Sequence, residues 1–223
     1  MTSSKKGFSA HQLHRSLGIT YKSAWHMAHR IRHAMQEQPL KAVLGENGGP
    51  VECDETYVGG KPRKGTGIVS KRGRGTKKTP VMVLVERDGS ARTKVLERMT
   101  GDNLKAEIRT HVHPDASIHT DENSAYNGIG AEYAGGHHTI NHSEGEYSRD
   151  GVCTNTAESF FGLVKRQFIG TNHSYSKKHM PRYIAETEFR WNRRKMGDGD
   201  RREEIIRAIK GKRLTYRQPK NPD

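Results

Sequence analysis

Acidic side chains are scarce in this chain. Against 39 Lys and Arg stand 25 Asp and Glu among 223 residues, which gives a formal charge of +14 and a pI near 9.9. Cysteine is scarcer still. Cys53 and Cys153 are the two present, too few for a disulfide scaffold or a four-cysteine zinc site. No apolar run approaches the roughly 18 residues that a membrane span needs. No basic-plus-apolar leader precedes a small-residue cleavage site, so secretion is not expected. Aromatics are few, but the apolar residues come in well-spaced runs, unlike those of a disordered tail. These absences leave a soluble, intracellular, strongly basic protein with one medium domain and small appendages. Charge of this sign favours nucleic acid as partner. A basic ribosome-associated protein would share it, and charge alone does not separate the two.

The N-terminal segment, 1–38, reads as two helices. Ser9 caps the first, which carries Leu13 and Leu17, and Gly18-Ile19-Thr20 turns the chain. The second runs from Tyr21 to Met35, with Ala24, Trp25, Ala28, Ile31 and Met35 at helical spacing. Helix, Gly-containing turn, helix is the layout of a helix-turn-helix. Lys22 and Arg30 on the second helix are candidate phosphate contacts. The competing reading is a plain helical hairpin with a solvated basic face. Residues 39–50, with Gly45, Gly48 and Gly49, read as a linker.

Beyond the linker the pattern changes. Strands are predicted over 51–58, 81–85 and 91–98, the last two joined by a hairpin turn at 86–89. A Thr100-capped helix follows to His111, then strands over 117–120 and 137–142. Helices are predicted over 155–168, 178–194 and 201–210. This order suggests an α/β fold, a mixed sheet with an antiparallel meander and helices packed on it. The loop 59–78 carries Lys61, Arg63, Lys64 and Arg72 among its cations and no acid. It reads as an arm that meets DNA phosphates or as a loop kept open by repulsion.

Because acids are the minority, their positions carry information. Asp54 interrupts an apolar strand, where Asp is disfavoured. Asp121 ends the fourth predicted strand, and Glu158 lies one turn into an amphipathic helix. Three carboxylates from separate elements, on a protein suited to a polyanion, fit a site for two Mg²⁺ or Mn²⁺ ions, which take hard oxygen ligands. Such a pair stabilises both oxygens of an in-line phosphoryl displacement. Lys165, seven residues after Glu158, shares its helix face and is placed to hold a phosphate. Each acid also has a plainer reading. Asp121 can cap the turn after it, and Asn155 with Glu158 matches a capping box.

Several stretches together resemble bacterial insertion-sequence transposases with an RNase H-like core, the ISXO-type group that often carries an N-terminal zinc ribbon. They are Lys6–Ala10 with Tyr21–Trp25, Val51–Lys61, Thr120–Tyr126, Asn141–Tyr147, Asn155–Arg166 and Phe189–Arg194. The resemblance implies an RNase H-like mixed five-stranded sheet flanked by helices and preceded by the helix-turn-helix. It implies a DDE active site of Asp54, Asp121 and Glu158 as metal ligands, with Lys165 beside them and Asn155 as a second candidate for the third position. Arg166, Arg193 and Arg194 fall in matching stretches and join the candidate DNA contacts. The implied activity is metal-dependent cleavage at element ends and strand transfer into target DNA. The partners are then double-stranded DNA, both terminal repeats and target, and further copies of the chain. The implied location is the bacterial cytoplasm, at the nucleoid when DNA-bound. On this reading 51–195 is the catalytic domain and 196–223 a basic C-terminal helix and tail. No zinc-ribbon ligands precede the helical hairpin, so the chain reads as N-terminally shortened and no zinc ribbon is expected in it. A catalytically defective DNA-binding fragment or regulator of transposition is the alternative function. A zinc enzyme using His111, His113, His137, His138 or His142 is a third reading, without a recognisable ligand spacing. His142, in a matching stretch, is a candidate for lining the site.

Overall fold

The computed structural model describes residues 1–36, 43–60 and 76–216. The expected contacts Lys61, Arg63, Lys64 and Arg72 lie outside the described residues. The chain divides into two compact units, Leu40–Lys165 and Met1–Pro39 with Arg166–Asp223. Residues 166–195, expected in one domain with 51–165, thus group with the N-terminal helices.

The first unit holds a five-stranded sheet in the order β3-β2-β1-β4-β5. Its strands are β1 (Pro50–Val58), β2 (Thr79–Glu86), β3 (Ala91–Val95), β4 (Ser117–Asp121) and β5 (His137–Ile140). β1 to β3 form an antiparallel meander, and β4 and β5 run parallel to β1. This is the mixed five-stranded α/β arrangement expected. β2 reads TPVMVLVE and is buried along nearly its whole length, as a strand covered on both faces should be. Met82 and Leu84 join Val51, Cys53 and Ile118 in a core with Leu104 and Ile108 of α3 (Gly101–His111). Val81, Val83 and Val85 are buried on the opposite face. Thr100 caps α3 as expected, its side chain accepting from Asn103 N–H at 3.3 Å.

Two strands stop earlier than predicted. β3 ends at Val95 because the next β2 residue opposite it is Pro80, which accepts from Leu96 N–H at 3.0 Å but has no N–H to give back. β5 ends at Ile140 because the Asn141 side chain turns inward on its own backbone, taking the N–H of Ser143 into a short 3-10 turn. Within the expected linker 39–50, Leu44 is 2 % exposed and bridges to Val112 of the core. The last element of this unit is α4 (Asn155–Gln167), which extends past the division at Lys165.

The second unit packs α1 (Ala10–Leu17), α2 (Tyr21–Met35), α5 (Met180–Asn192) and α6 (Asp198–Ile209). Ser9 and Thr20 cap α1 and α2, and Gly18 ends α1 in the left-handed conformation. The centre is polar. Glu186, fully buried, accepts from Arg32 Nε at 2.7 Å, Arg190 Nη1 at 2.8 Å and Gln167 Nε2 at 3.0 Å. Arg32 also donates to Phe8 O at 3.0 Å. Gly7 turns at φ +89°, and a Cβ there would press on Arg190, Glu186 and Gln167. The matching stretches at Lys6–Ala10 and Phe189–Arg194 thus border one buried ion-pair network.

Candidate active site

Side chains alternate along β1. Val51 and Cys53 enter the core under α3, while Glu52 and Asp54 occupy the other face. Glu55 returns to the first face, where Asn123 Nδ2 donates to it at 2.6 Å and the Tyr126 hydroxyl donates to its other oxygen. These bonds tie the middle of β1 to the chain just after β4. β1 and β4 pair with Val51 opposite Ile118 and Glu52 opposite His119. Carried two residues past the paired stretch, that offset sets Asp54, midway along β1, level with Asp121 at the end of β4, both on one face of the sheet.

The third acid arrives by a route that sequence reasoning missed. Glu52 is completely buried and accepts from Thr156 N–H at 2.7 Å, Ala157 N–H at 3.1 Å and Thr156 Oγ1 at 2.9 Å. Its Oε1 also accepts from Arg87 Nε at 3.3 Å and Nη2 at 3.1 Å. A carboxylate on the first N–H groups of a helix is favourable for both hydrogen bonding and the helix dipole. Glu52 therefore pins the start of α4 to the strand that carries Asp54. The capping-box reading fails here. Thr154 O accepts the first helical bond, from Glu158 N–H at 3.0 Å, so Thr154 is the cap and Asn155 already lies in the helix. Asn155 and Glu158 are thereby left exposed on one face. The signal for Glu52 was the one used for Asp54, an acid inside an apolar strand.

The electrostatics show carboxylates short of positive charge. Burial pushes the Asp54 carboxyl up to about 7, helped by the charges of Glu55, Asp121 and Glu158 and opposed by the Glu55 N–H that it accepts at 2.7 Å. Asp121 is raised as well, by burial first and then by Glu122; the Asn123 N–H and His142 pull the other way. The plain role of Asp121 is also present, since its Oδ1 accepts Asn123 N–H at 3.1 Å. His142 Nε2 lies 3.6 Å from Glu158 Oε1 and 2.9 Å from Thr154 Oγ1. Among the described residues no three His, Cys, Asp or Glu side chains are drawn closely enough to hold an ion. The histidines of the zinc reading have other contacts: His111 beside Glu107, His137 on Thr120, His138 on Gly135 O.

Lys165 and Arg166 are exposed on α4. In the helical unit Lys22 and Arg30 are exposed on α2. Arg193 is paired with Glu204, and Arg194 lies over the Trp191 ring at 4.9 Å. Among the described residues no helix is long and apolar enough to cross a membrane.

The mixed five-stranded sheet thus carries Asp54 and Asp121 on one face, and Glu52 fastens to β1 the helix that bears Glu158. Residues 47–192 match the family model of the ISXO2-like transposase domain, and the chain belongs to that family. It is 27 % identical over 194 residues to the "Uncharacterized protein in transposable element ISH50" of Halobacterium salinarum, a match covering 82 % of this chain and 64 % of the relative. The chain thus spans less than two thirds of that relative's length. A solved structure, a pre-cleavage Mos1 transpososome, aligns over 94 % of this chain and 76 % of its own at 12 % identity and a TM-score of 0.33.

Proposed function

We propose that this chain is a DDE-type transposase that cleaves DNA at insertion-sequence ends and joins the freed 3′-hydroxyl to target DNA. One observation carries the reading. Asp54, a strand carboxylate with a proton affinity raised to about 7, lies level with Asp121 and within the field of Glu158. The chemistry of these donors suits Mg²⁺ or Mn²⁺: the oxygens are hard, and a cation would draw the mutually repelling carboxylates together and relieve their burial. Asp54 and Asp121 would hold the metal, with Glu158 as third ligand and Asn155, on the same helix face, as its alternative. Bound ions would stabilise the attacking and leaving oxygens of an in-line displacement. The chain's own residues do the rest. Glu52 holds α4 against β1, His142 orients Glu158, and Lys165 anchors a DNA phosphate on the face that Glu158 shares. Positioning and charge carry the rate, with no covalent enzyme intermediate. The basic helical unit binds double-stranded DNA, and synapsis of two ends calls for more than one copy of the chain. Acting on the chromosome places it at the bacterial nucleoid.

The test uses labelled DNA carrying the ends of its own element, with Mg²⁺ or with chelator, beside Asp54→Asn. Nicking or strand transfer that needs the metal and disappears in Asp54→Asn is the expected result. Binding without any cleavage would overturn the catalytic reading in favour of a regulator of transposition.

A further inference from the structure

The helical unit closes with a strap that the helix-turn-helix reading does not include. After α6, residues 211–216 return along α2. Lys212 Nζ donates to Ala34 O at 3.1 Å and to Gln36 O, carbonyls at the C-terminal end of α2. Tyr216 sits at the other end. Lys22 Nζ lies 4.7 Å from its ring centroid, and its ring meets those of His26 at 5.7 Å and Trp25 at 6.2 Å, both edge-on. Four extended residues reach roughly 13–14 Å. From Trp25 to Ala34 the helix rises about the same distance, at roughly 1.5 Å per residue. The strap therefore lies along α2 and antiparallel to it. Between its anchors is a cleft of about 300 Å³, with Ser23, His26, Met27 and Arg30 on the helix side and Lys212 and Leu214 on the strap side.

Both walls are free of acid. Neither 1–36 nor 205–222 contains an Asp or Glu. Elsewhere many arginines are neutralised, as in Arg87 with Glu52, Arg109 with Glu132, Arg193 with Glu204 and Arg201 with Asp198. Lys22, Arg30 and Arg213 are exposed and have no acidic partner among the described residues. An acidic strap would mimic DNA and block the helix. A cationic strap instead adds to the positive potential of α2, which suits a polyanion.

We propose that the strap and α2 form one composite DNA-binding surface, with the outward face of α2 on the duplex and Arg213 on a flanking phosphate. Tyr216 keeps the strap in register by its contacts with Lys22, Trp25 and His26. This rests on the reading of DNA as the substrate.

The experiment measures binding of a short fluorescein-labelled duplex of arbitrary sequence over a salt series. It is done in chelator, on an Asp54→Asn background, so that loss of cleavage does not enter. Arg213→Gln is expected to lower the slope of log K against log salt by about 1. Tyr216→Ala removes no charge, yet is expected to weaken binding about two- to fivefold, the scale of one lost cation–π contact. Tyr216 is about half exposed, and unchanged thermal melting of the variant will show that the fold is intact. Unchanged binding by both variants overturns the composite surface. Tighter binding by Tyr216→Ala overturns it too, since the strap would then be covering α2. A parent protein that binds no DNA overturns the inference and the DNA reading together, which separates that failure from the first two.

Discussion

Glu52→Gln tests whether the buried carboxylate under α4 assembles the site. In the native chain Oε2 serves the N–H groups of Thr156 and Ala157, while Oε1 serves Arg87 and the Thr156 hydroxyl. Glutamine has one carbonyl oxygen, so it satisfies one of these sets and turns an NH₂ toward the donors of the other. Removing one partner of a buried ion pair costs about 3–5 kcal/mol. The Arg87 side chain is 32 % exposed and can partly rehydrate, which favours the low end of that range, about 3 kcal/mol. At roughly 2–4 °C per kcal/mol for a chain of this size, melting should fall by about 6–12 °C. Cleavage, assayed well below both melting points, should fall about 10- to 100-fold, as expected when a catalytic group is displaced by about 1 Å. Glu132→Gln is the control. Its pair with Arg109 is short, at 2.6 Å, but open to solvent, so melting should barely move. Melting within about 2 °C of the parent and full cleavage by Glu52→Gln would refute the argument, because the α4 terminus would then be held by something else.

Two further predictions concern pH. The Asp54 pKa is raised from 3.8 to about 7. Between those values the unfolded chain ionises while the folded one keeps its proton, so stability falls as pH rises through the window. Asp54→Asn should therefore stabilise the metal-free protein above pH 7, the gain building up through the window at no more than about 1.4 kcal/mol per pH unit. The gain should vanish near pH 4, and melting curves at the two pH values check it. His29 behaves in the opposite sense. Burial first, and then Arg32 and His179, pull its pKa down from 6.5 to about 3. The unfolded chain takes up a proton below pH 6.5 that the folded one refuses, so stability is full above that pH and is lost toward pH 3. His29 is 1 % exposed, and among the described residues neither ring nitrogen has a hydrogen-bond partner. His29→Phe should hold its melting temperature at pH 5 better than the parent does, and an identical acid-side loss would sink this account.

What was legible in the sequence was local. Helices with period-3.6 apolar residues and side-chain caps at Ser9 and Thr100 formed where predicted, because cap and helix are neighbours in the chain. The apolar run of β2 announced a buried strand, and an acid in the apolar stretch of β1 singled out Asp54. What was not legible depended on partners far away. Glu52 meets Thr156 across 104 residues, and Arg32 meets Glu186 across 154. The first contact displaced the capping box that Asn155 and Glu158 spell out. A distant carboxylate had already taken the N–H groups at the start of α4, and Glu158 was freed to face outward. The second contact explains why residues 166–195 group with the N-terminal helices. Breaking a buried pair by removing one partner costs about 3–5 kcal/mol, a large fraction of the roughly 5–15 kcal/mol that holds a domain folded. The domain boundary expected at 195 followed composition along the chain, whereas the compact units follow this pairing. The candidate acids lie in one unit and the exposed α2 cations Lys22 and Arg30 in the other. Loss of the Arg32–Glu186 pair should therefore reduce DNA binding while leaving Asp54 level with Asp121.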